Sequence, residues 1–347
     1  MLYIRVDANE IIATGHVMRC LAIADAVSEI GGEVTFVTAD EKGSTLIMNR
    51  GYEAICLNSR WNALEEEIPQ LIALIEEKNI AKLLIDTYQV TACYLQTLNE
   101  YTNVIYLDDL DAFEYPCSII NYAVYAKECS YGANTEGRHL LGCSYMPLRK
   151  MFEDLPVKIV ADKIEHILVL TGGTDAYHFG KRFLMEFLDR VSNEKIRNKK
   201  LTIICGSFHE DYEELCEIAA DYENIFIKKN VSDIQRDMQI ADVAISAGGT
   251  TLYELCACGT PTISYLLADN QKKNVECFAK MGLIPYCGDI RTENVISRIF
   301  EQVQQWDDAK EERTRISKKL QRLVDGKGAK RLAEQLAKCE YRMEKRF

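Results

Sequence analysis

No stretch of this sequence approaches the roughly 20 consecutive apolar residues that a membrane-spanning helix needs. No solenoid-type repeat occurs, so the chain is not a stacked array. The glycine motifs with the sharpest meanings are also missing. No GK[ST] run marks a Walker A loop, and no full G-x-G-x-x-G marks a dinucleotide site. The 13 cysteines include no CxxC pair, and the nearest two, Cys256 and Cys258, fall in a helical stretch. No zinc site has its ligand spacing, so we expect reduced, mostly buried thiols and no metal. Residue 1 all but starts the first expected strand, which leads us to expect no leader and a cytoplasmic protein. Positive charge is scarce, with a net charge of −12. A nucleic-acid or anionic-membrane surface needs a basic face, so neither partner is expected. An anionic small molecule is still allowed, because backbone amides and helix N-termini bind phosphate without a basic field.

What is present is ordinary for a globular protein, with 48% hydrophobic and 27% charged residues. A length of 347 residues favours two domains. Strand-length apolar runs alternate with helical periodicity. "LYIRVDA", "EVTFVTAD", "AICLN", "AKLLIDTY" and "NVIYLDD" read as strands, separated by helices such as "GHVMRCLAIADAVSEIGG". Unbroken Val/Ile/Leu strands are buried on both faces, as in a parallel sheet covered by helices. A less regular stretch, from Asp111 to about Lys163, holds three of the six prolines. The alternation then resumes with "HILVLTGGTD", "LTIICGS", "NIFIKKN", "VAISAGG" and "PTISYLL". The expectation is an α/β protein of two Rossmann-like domains. The first covers residues 1–155, the second covers 160–330, and a helical tail covers 331–347. Ligands of such sheets bind beyond the carboxyl ends of the strands, and a cleft between two such domains is the natural site.

Three strand-end loops carry the candidate chemistry. "TGGTD" (Thr171 to Asp175) and "SAGGTT" (Ser246 to Thr251) place paired glycines between strand and helix. Glycine lets the backbone approach a phosphate, and the helix that follows offers free N–H groups and a positive dipole end. Gly172, Gly173 and Thr174, with Gly248, Gly249 and Thr250, are therefore candidate phosphate ligands; plain tight turns would use the same glycines. Gly15-His16 opens the first helix. A neutral imidazole there is a competent general base. The alternative is a histidine that caps the turn or bonds a nearby carboxylate. Glu254, one turn into a helix, either serves the dipole or accepts two ribose hydroxyls. "DDLD" (Asp108 to Asp111) reads as turn residues before it reads as a divalent-metal site.

Two segments match known families. "SAGGTTLYELCACGTPTISYLLADNQKKNVECFAKMG" resembles the nucleotide-binding segment of GT-B enzymes, on the branch with the N-acetylglucosaminyltransferase that makes lipid II. That resemblance implies ribose binding by Glu254, with Asn270 and Gln271 near the sugar. "RVDANEIIATGHVMRCLAIA" resembles the R-x-D…G-x-G-H-x-x-R opening of the UDP-2,4-diacetamido-2,4,6-trideoxy-β-L-altropyranose hydrolases of pseudaminic acid biosynthesis and their spore-coat polysaccharide relatives. "LLIDTY", "YLDD", "GCSYMPLRKMF" and "LVLTGGTD" follow in the same order. The usual G-x-G-H is here Ala13-Thr14-Gly15-His16, which keeps only the glycine beside the histidine. The resemblance implies a GT-B fold and an inverting hydrolysis of a UDP-sugar at the anomeric carbon, with no metal or cofactor. His16 would be the base, with Asp7 and Tyr88 as positioning groups and Arg5, Gly15 and Arg19 around the substrate. Two other readings stay open: a GT-B glycosyltransferase using the same donor, and a non-catalytic nucleotide-sugar binding protein. The sugar and the oligomeric state are not legible.

Overall fold

The computed structural model describes residues 1–9, 15–112, 114, 116–131, 139–190, 198–292 and 294–338. It divides into two units, Met1–Lys150 with Lys327–Phe347, and Met151–Gly326.

In the first unit the strands are β1 (Leu2–Val6), β2 (Val34–Thr38), β3 (Glu53–Cys56), β4 (Lys82–Asp86), β5 (Asn103–Leu107), β6 (Ser118–Asn121) and β7 (Leu140–Leu141). They form one parallel sheet in the order β3-β2-β1-β4-β5-β6-β7. The crossovers include α1 (Gly15–Glu29), α2 (Glu41–Met48), α3 (Ile68–Lys78) and α4 (Ala92–Asn99). β1 and β2 are buried along their whole length, as their unbroken apolar runs require. α2 starts where Asp40 accepts the amides of Lys42 and Gly43, and α4 where Thr91 accepts that of Tyr94. α3 has Pro69 in its first turn, where a missing N–H costs nothing. β6 and β7 lie in the stretch that reads as irregular; they are too short to show a period.

The second unit alternates β8 (His166–Leu170), α5 (Phe179–Asp189), β9 (Lys200–Cys205), α6 (Tyr212–Ala219), β10 (Ile225–Lys229), α7 (Ile234–Ile240), β11 (Val243–Ala247), α8 (Thr251–Cys258), β12 (Thr262–Leu266), α9 (Lys272–Lys280) and β13 (Tyr286–Asp289). Its parallel sheet runs β10-β9-β8-β11-β12-β13. α10 (Val295–Asp307) and α11 (Lys310–Leu323) close the unit.

The last described helix, α12 (Gly328–Lys338), packs on α1 of the first unit. Leu332, Ala333 and Leu336 form its buried stripe. Lys82 Nζ donates to the Leu336 carbonyl at 2.6 Å, and Arg331 to that of Ser144 at 2.9 Å. Gly328 has to be glycine, since a Cβ there would stand 2.1 Å from the Met146 carbonyl oxygen. The stretch expected as a tail is thus a structural part of the first unit up to Lys338.

Both sheets reverse direction of growth at their first strand. β1 lies between β2 and β4, and β8 lies between β9 and β11. The crevice at the carboxyl ends of such a pair is where doubly wound sheets bind ligands. No helix among the described residues is long and apolar enough to cross a membrane.

Candidate functional site

In the first unit, the first turn of α1 and the carboxyl end of β4 bring His16 and Asp86 together at the switch point. β1 and β4 are in register there, Val6 beside Asp86. His16 Nδ1 lies 2.6 Å from Asp86 Oδ1, and both side chains are buried. Arg19, one turn further along α1, donates Nε to Asp86 Oδ2 at 2.7 Å and Nη2 to Oδ1 at 2.5 Å. The Cys20 thiol reaches Oδ2 at 3.3 Å. Burial alone would raise the Asp86 pKa, but the Arg19 charge and then His16 hold it well below the usual carboxylate range. The proton of the 2.6 Å contact therefore sits on Nδ1. Arg19 Nη2 is also 3.0 Å from that nitrogen; a guanidinium only donates, so its hydrogen goes to the carboxylate. This tautomer leaves the Nε2 lone pair of His16 without a partner among the described residues. A carboxylate-held imidazole with an open Nε2 is the geometry of a general base.

A second acidic centre lies alongside. Asp109 Oδ2 accepts Arg19 Nη1 at 2.8 Å, the Tyr88 hydroxyl at 3.1 Å and the Tyr122 hydroxyl at 3.2 Å. Burial, then the Asp109 charge, pushes the Tyr88 phenol well up, so it stays a donor. The Tyr88 ring meets His16 edge-on with centroids 4.5 Å apart. Asp109 Oδ1 is buried and has no hydrogen-bond partner among the described residues, which leaves an acceptor for a ligand donor. Its neighbour Asp108 turns the chain, accepting the amides of Leu110 and Asp111 at 2.9 and 3.1 Å. "DDLD" is a turn and half of a polar network.

Two expected site residues play a different part. Arg5 is fully buried; it is paired with Asp7 at 2.6 Å and held in a fork by Glu67 at 2.8 and 2.9 Å. Glu67 also accepts Ser59 and Tyr94 hydroxyls at 2.7 and 2.8 Å. Asp7 Oδ1 accepts the Ala39 amide at 2.7 Å. Arg5 and Asp7 thus tie the end of β1 to the end of β2, and their charged ends pair with each other. Gly15 starts α1 exposed, and a Cβ there would touch nothing within 4 Å. Ala13 and Thr14, where the sequence departs from the G-x-G-H pattern, lie outside the described residues.

In the second unit, the loops after β8 and β11 are the two glycine loops, and Ser246 of β11 pairs in register with Leu170 of β8. Gly172 has φ +75, and Gly206 lets the next loop approach it, since a Cβ would stand 2.4 Å from its carbonyl. Gly172, Gly173 and Thr174 are exposed. The expectation that the following helix offers free amides fails for α5. Asp175 itself accepts the amides of Phe179 at 2.9 Å and Gly180 at 2.8 Å. α8 differs: Thr250 stands at its N-cap without a side-chain hydrogen bond to the helix. Among the described residues the amides of Gly249, Thr250 and Thr251 have no partner. Gly248 is sterically required, as a Cβ would lie 2.3 Å from Val275 Cγ1 and 3.2 Å from Gln271 Cβ. Its carbonyl accepts Asn274 Nδ2 at 2.8 Å, and Asn274 accepts the Tyr253 hydroxyl at 2.6 Å. This fixes the loop against α9. Gln271 therefore borders the loop, whereas Asn270 is exposed on the turn Asp269–Gln271. Glu254 is half-buried in the first turn of α8.

Sequence reasoning missed Asp86, Asp109 as a side-chain hub, and Tyr122. The signal for Asp86 was the acid ending the apolar run "LLID".

Residues 166–336 match the Glycosyltransferase family 28 C-terminal domain. A UDP-N-acetylglucosamine--N-acetylmuramyl-(pentapeptide) pyrophosphoryl-undecaprenol N-acetylglucosamine transferase from Helicobacter pylori (strain Shi470) is 32% identical over 222 residues, 59% of this chain and 58% of that protein. The chain thus matches less than two thirds of that relative's length. The spore coat polysaccharide biosynthesis protein SpsG of Bacillus subtilis (strain 168) is 24% identical over 77% of this chain and 78% of its own. Among solved structures, Acinetobacter baumannii MurG superimposes with a TM-score of 0.72 at 13% identity, covering 97% of this chain and 99% of that one. The chain has the GT-B fold, and the match to the glycosyltransferase family 28 C-terminal domain covers most of the second unit and runs on into α12.

Proposed function

We propose that the protein is a glycosyltransferase that takes its sugar from a UDP-sugar. The observation that carries this reading is the match of residues 166–336 to the family 28 domain, in which the α8 N-terminus keeps open amides at the switch point. Those amides and the exposed Gly172–Thr174 turn receive the diphosphate, and Glu254 receives the ribose. His16, with Nδ1 held by Asp86, accepts a proton at Nε2 from an acceptor hydroxyl. That oxygen bonds to the anomeric carbon as the carbon–oxygen bond to UDP breaks, and a single displacement inverts the centre. The amides stabilise the charge that builds on the leaving diphosphate. Transfer is preferred over hydrolysis because the Helicobacter relative is by name a transferase. The same base acting on water would give hydrolysis, so the two readings differ in the acceptor alone.

The test is UDP release from a panel of UDP-sugars, with and without hydroxyl acceptors. Release that needs an acceptor and yields a glycosylated product is expected. Equal release with water alone assigns hydrolysis, and tight binding with no release makes the chain a nucleotide-sugar binding protein.

A further inference from the structure

Beside the Gly172–Gly173 turn, the second unit holds a side-chain cluster that the reaction above does not use. Asp175, His209 and Asp211 each offer one ligand atom, and these atoms lie within 4.8 Å of one another. His209 is 4% exposed, and neither ring nitrogen has a hydrogen-bond partner among the described residues. Its Nε2 stands 3.1 Å from Asp175 Oδ2. The Nε2 contact lacks hydrogen-bond alignment and Nδ1 has no contact of that kind, and a buried imidazole left so poorly satisfied is costly and rare in native proteins. The two carboxylates facing it supply charge that a cation would neutralise.

We infer that Asp175, His209 and Asp211 bind a divalent transition-metal ion of the zinc class. One imidazole and two carboxylates suit such an ion better than calcium, which takes six to eight oxygens. Zinc holds nitrogen and oxygen ligands at about 2.0–2.2 Å, which sets neighbouring ligand atoms about 3.4 Å apart. Asp211 is only half-buried, so its side chain makes the closing rotation. His178 Nδ1 lies 2.7 Å from Asp211 Oδ2 and orients that carboxylate, as outer partners of metal ligands do. Asp175 Oδ2 accepts the Gly180 amide, which fixes the second carboxylate. A cavity of about 580 Å³ lined by His178, Lys181, Arg182 and Asp211 opens beside the cluster and gives an ion its way in.

The ion would join two loops already in contact through the Phe208 amide and the Gly173 carbonyl, 3.1 Å apart. One loop follows β8 and carries the Gly172–Gly173 turn; the other follows β9. Bound metal would therefore stiffen that turn without touching a reacting atom.

Cobalt(II) reports both the site and its ligands. Chelator-treated full-length protein is titrated with Co²⁺ alone and followed by visible and near-ultraviolet absorption. One equivalent per chain is expected, with ligand-field bands in the visible, no intense thiolate-to-cobalt band, and displacement by Zn²⁺. Asp211→Asn and His209→Gln each remove a ligand and should weaken binding by at least the roughly 10–100-fold that loss of an outer partner costs. Circular dichroism checks that each is folded, and Asp211→Asn at the half-buried rim keeps the test open if His209→Gln does not fold. Absence of stoichiometric binding, a thiolate band from the cysteines, or undiminished affinity in either folded variant overturns the assignment.

Discussion

Asp86→Asn is the sharpest test of the His16 base. The substitution keeps shape and removes charge. Asp86 has four contacts: His16 Nδ1 and Arg19 Nη2 on Oδ1, and Arg19 Nε and the Cys20 thiol on Oδ2. An asparagine retains one acceptor and turns the other into a donor. If its oxygen stays on Arg19 Nε, its NH₂ faces His16 Nδ1, which has to become an acceptor. The ring proton then moves to Nε2, and the base is lost. The equivalent tautomer trap in the serine protease triad, a known case, costs about 10⁴ in kcat. Here we expect a fall of about 10³–10⁴, which is about 4–5.5 kcal/mol at 1.36 kcal/mol per decade. The residues proposed to bind UDP lie in the second unit, so UDP binding should be unchanged. Stability also falls, because Arg19 keeps only Asp109 as a charged partner; losing half of a buried pair costs about 3–5 kcal/mol. Steady-state UDP release gives kcat, and urea unfolding of the same preparation separates chemistry from stability. Asp7→Asn is the control: a carboxylate just as buried that touches Arg5 and not His16, so it should lower stability and spare kcat in the folded fraction. An Asp86→Asn protein that is folded and within tenfold of the parent kcat would refute the base assignment.

Gly248→Ala should abolish detectable UDP binding by calorimetry and cost about 1–3 kcal/mol through overpacking against Val275, whereas Gly15→Ala, with open space around its Cβ, should change stability by less than about 1 kcal/mol. Equal effects of the two would break the steric argument. Burial, then Lys200, lowers the His166 pKa to about 4, against about 6.5 in an unfolded chain. The neutral ring thus contributes up to about 3 kcal/mol that is fully present above pH 6.5 and lost as pH falls towards 4. Urea midpoints measured across that window should drop with pH, and His166→Gln should flatten the slope. Glu67→Gln strips half the charge balance from buried Arg5 and should cost about 3 kcal/mol; a urea midpoint like that of the parent would show that Glu67 is dispensable.

The alternating architecture was legible because parallel strands buried on both faces leave unbroken apolar runs. The glycine loops were legible because strand, paired glycines and helix follow one another within a few residues. The pairings were not. Arg5 in "LYIRVDA" needs a buried anion, but Glu67 is one of three consecutive acids in "LEEE", and nothing local singles it out. Asp86 and His16 are 70 residues apart, and an acid ending a strand looks like any turn residue. Asp175 was read as part of a phosphate loop that leads to open amides. Its backbone at φ 50 instead turns its carboxylate onto the helix that follows, and no local pattern announces that.

The docking of α12 on α1 has a consequence for how the protein is made. About 300 residues separate Glu29 from Gly328. At about 5–20 residues per second, the ribosome needs roughly 15–60 s to supply the partner of the first helix. Through that interval the second unit can fold as a continuous stretch, while the first waits with an apolar face of α1 uncovered. The first unit is thus begun earliest and finished last, and it is the one that chaperones would have to shield.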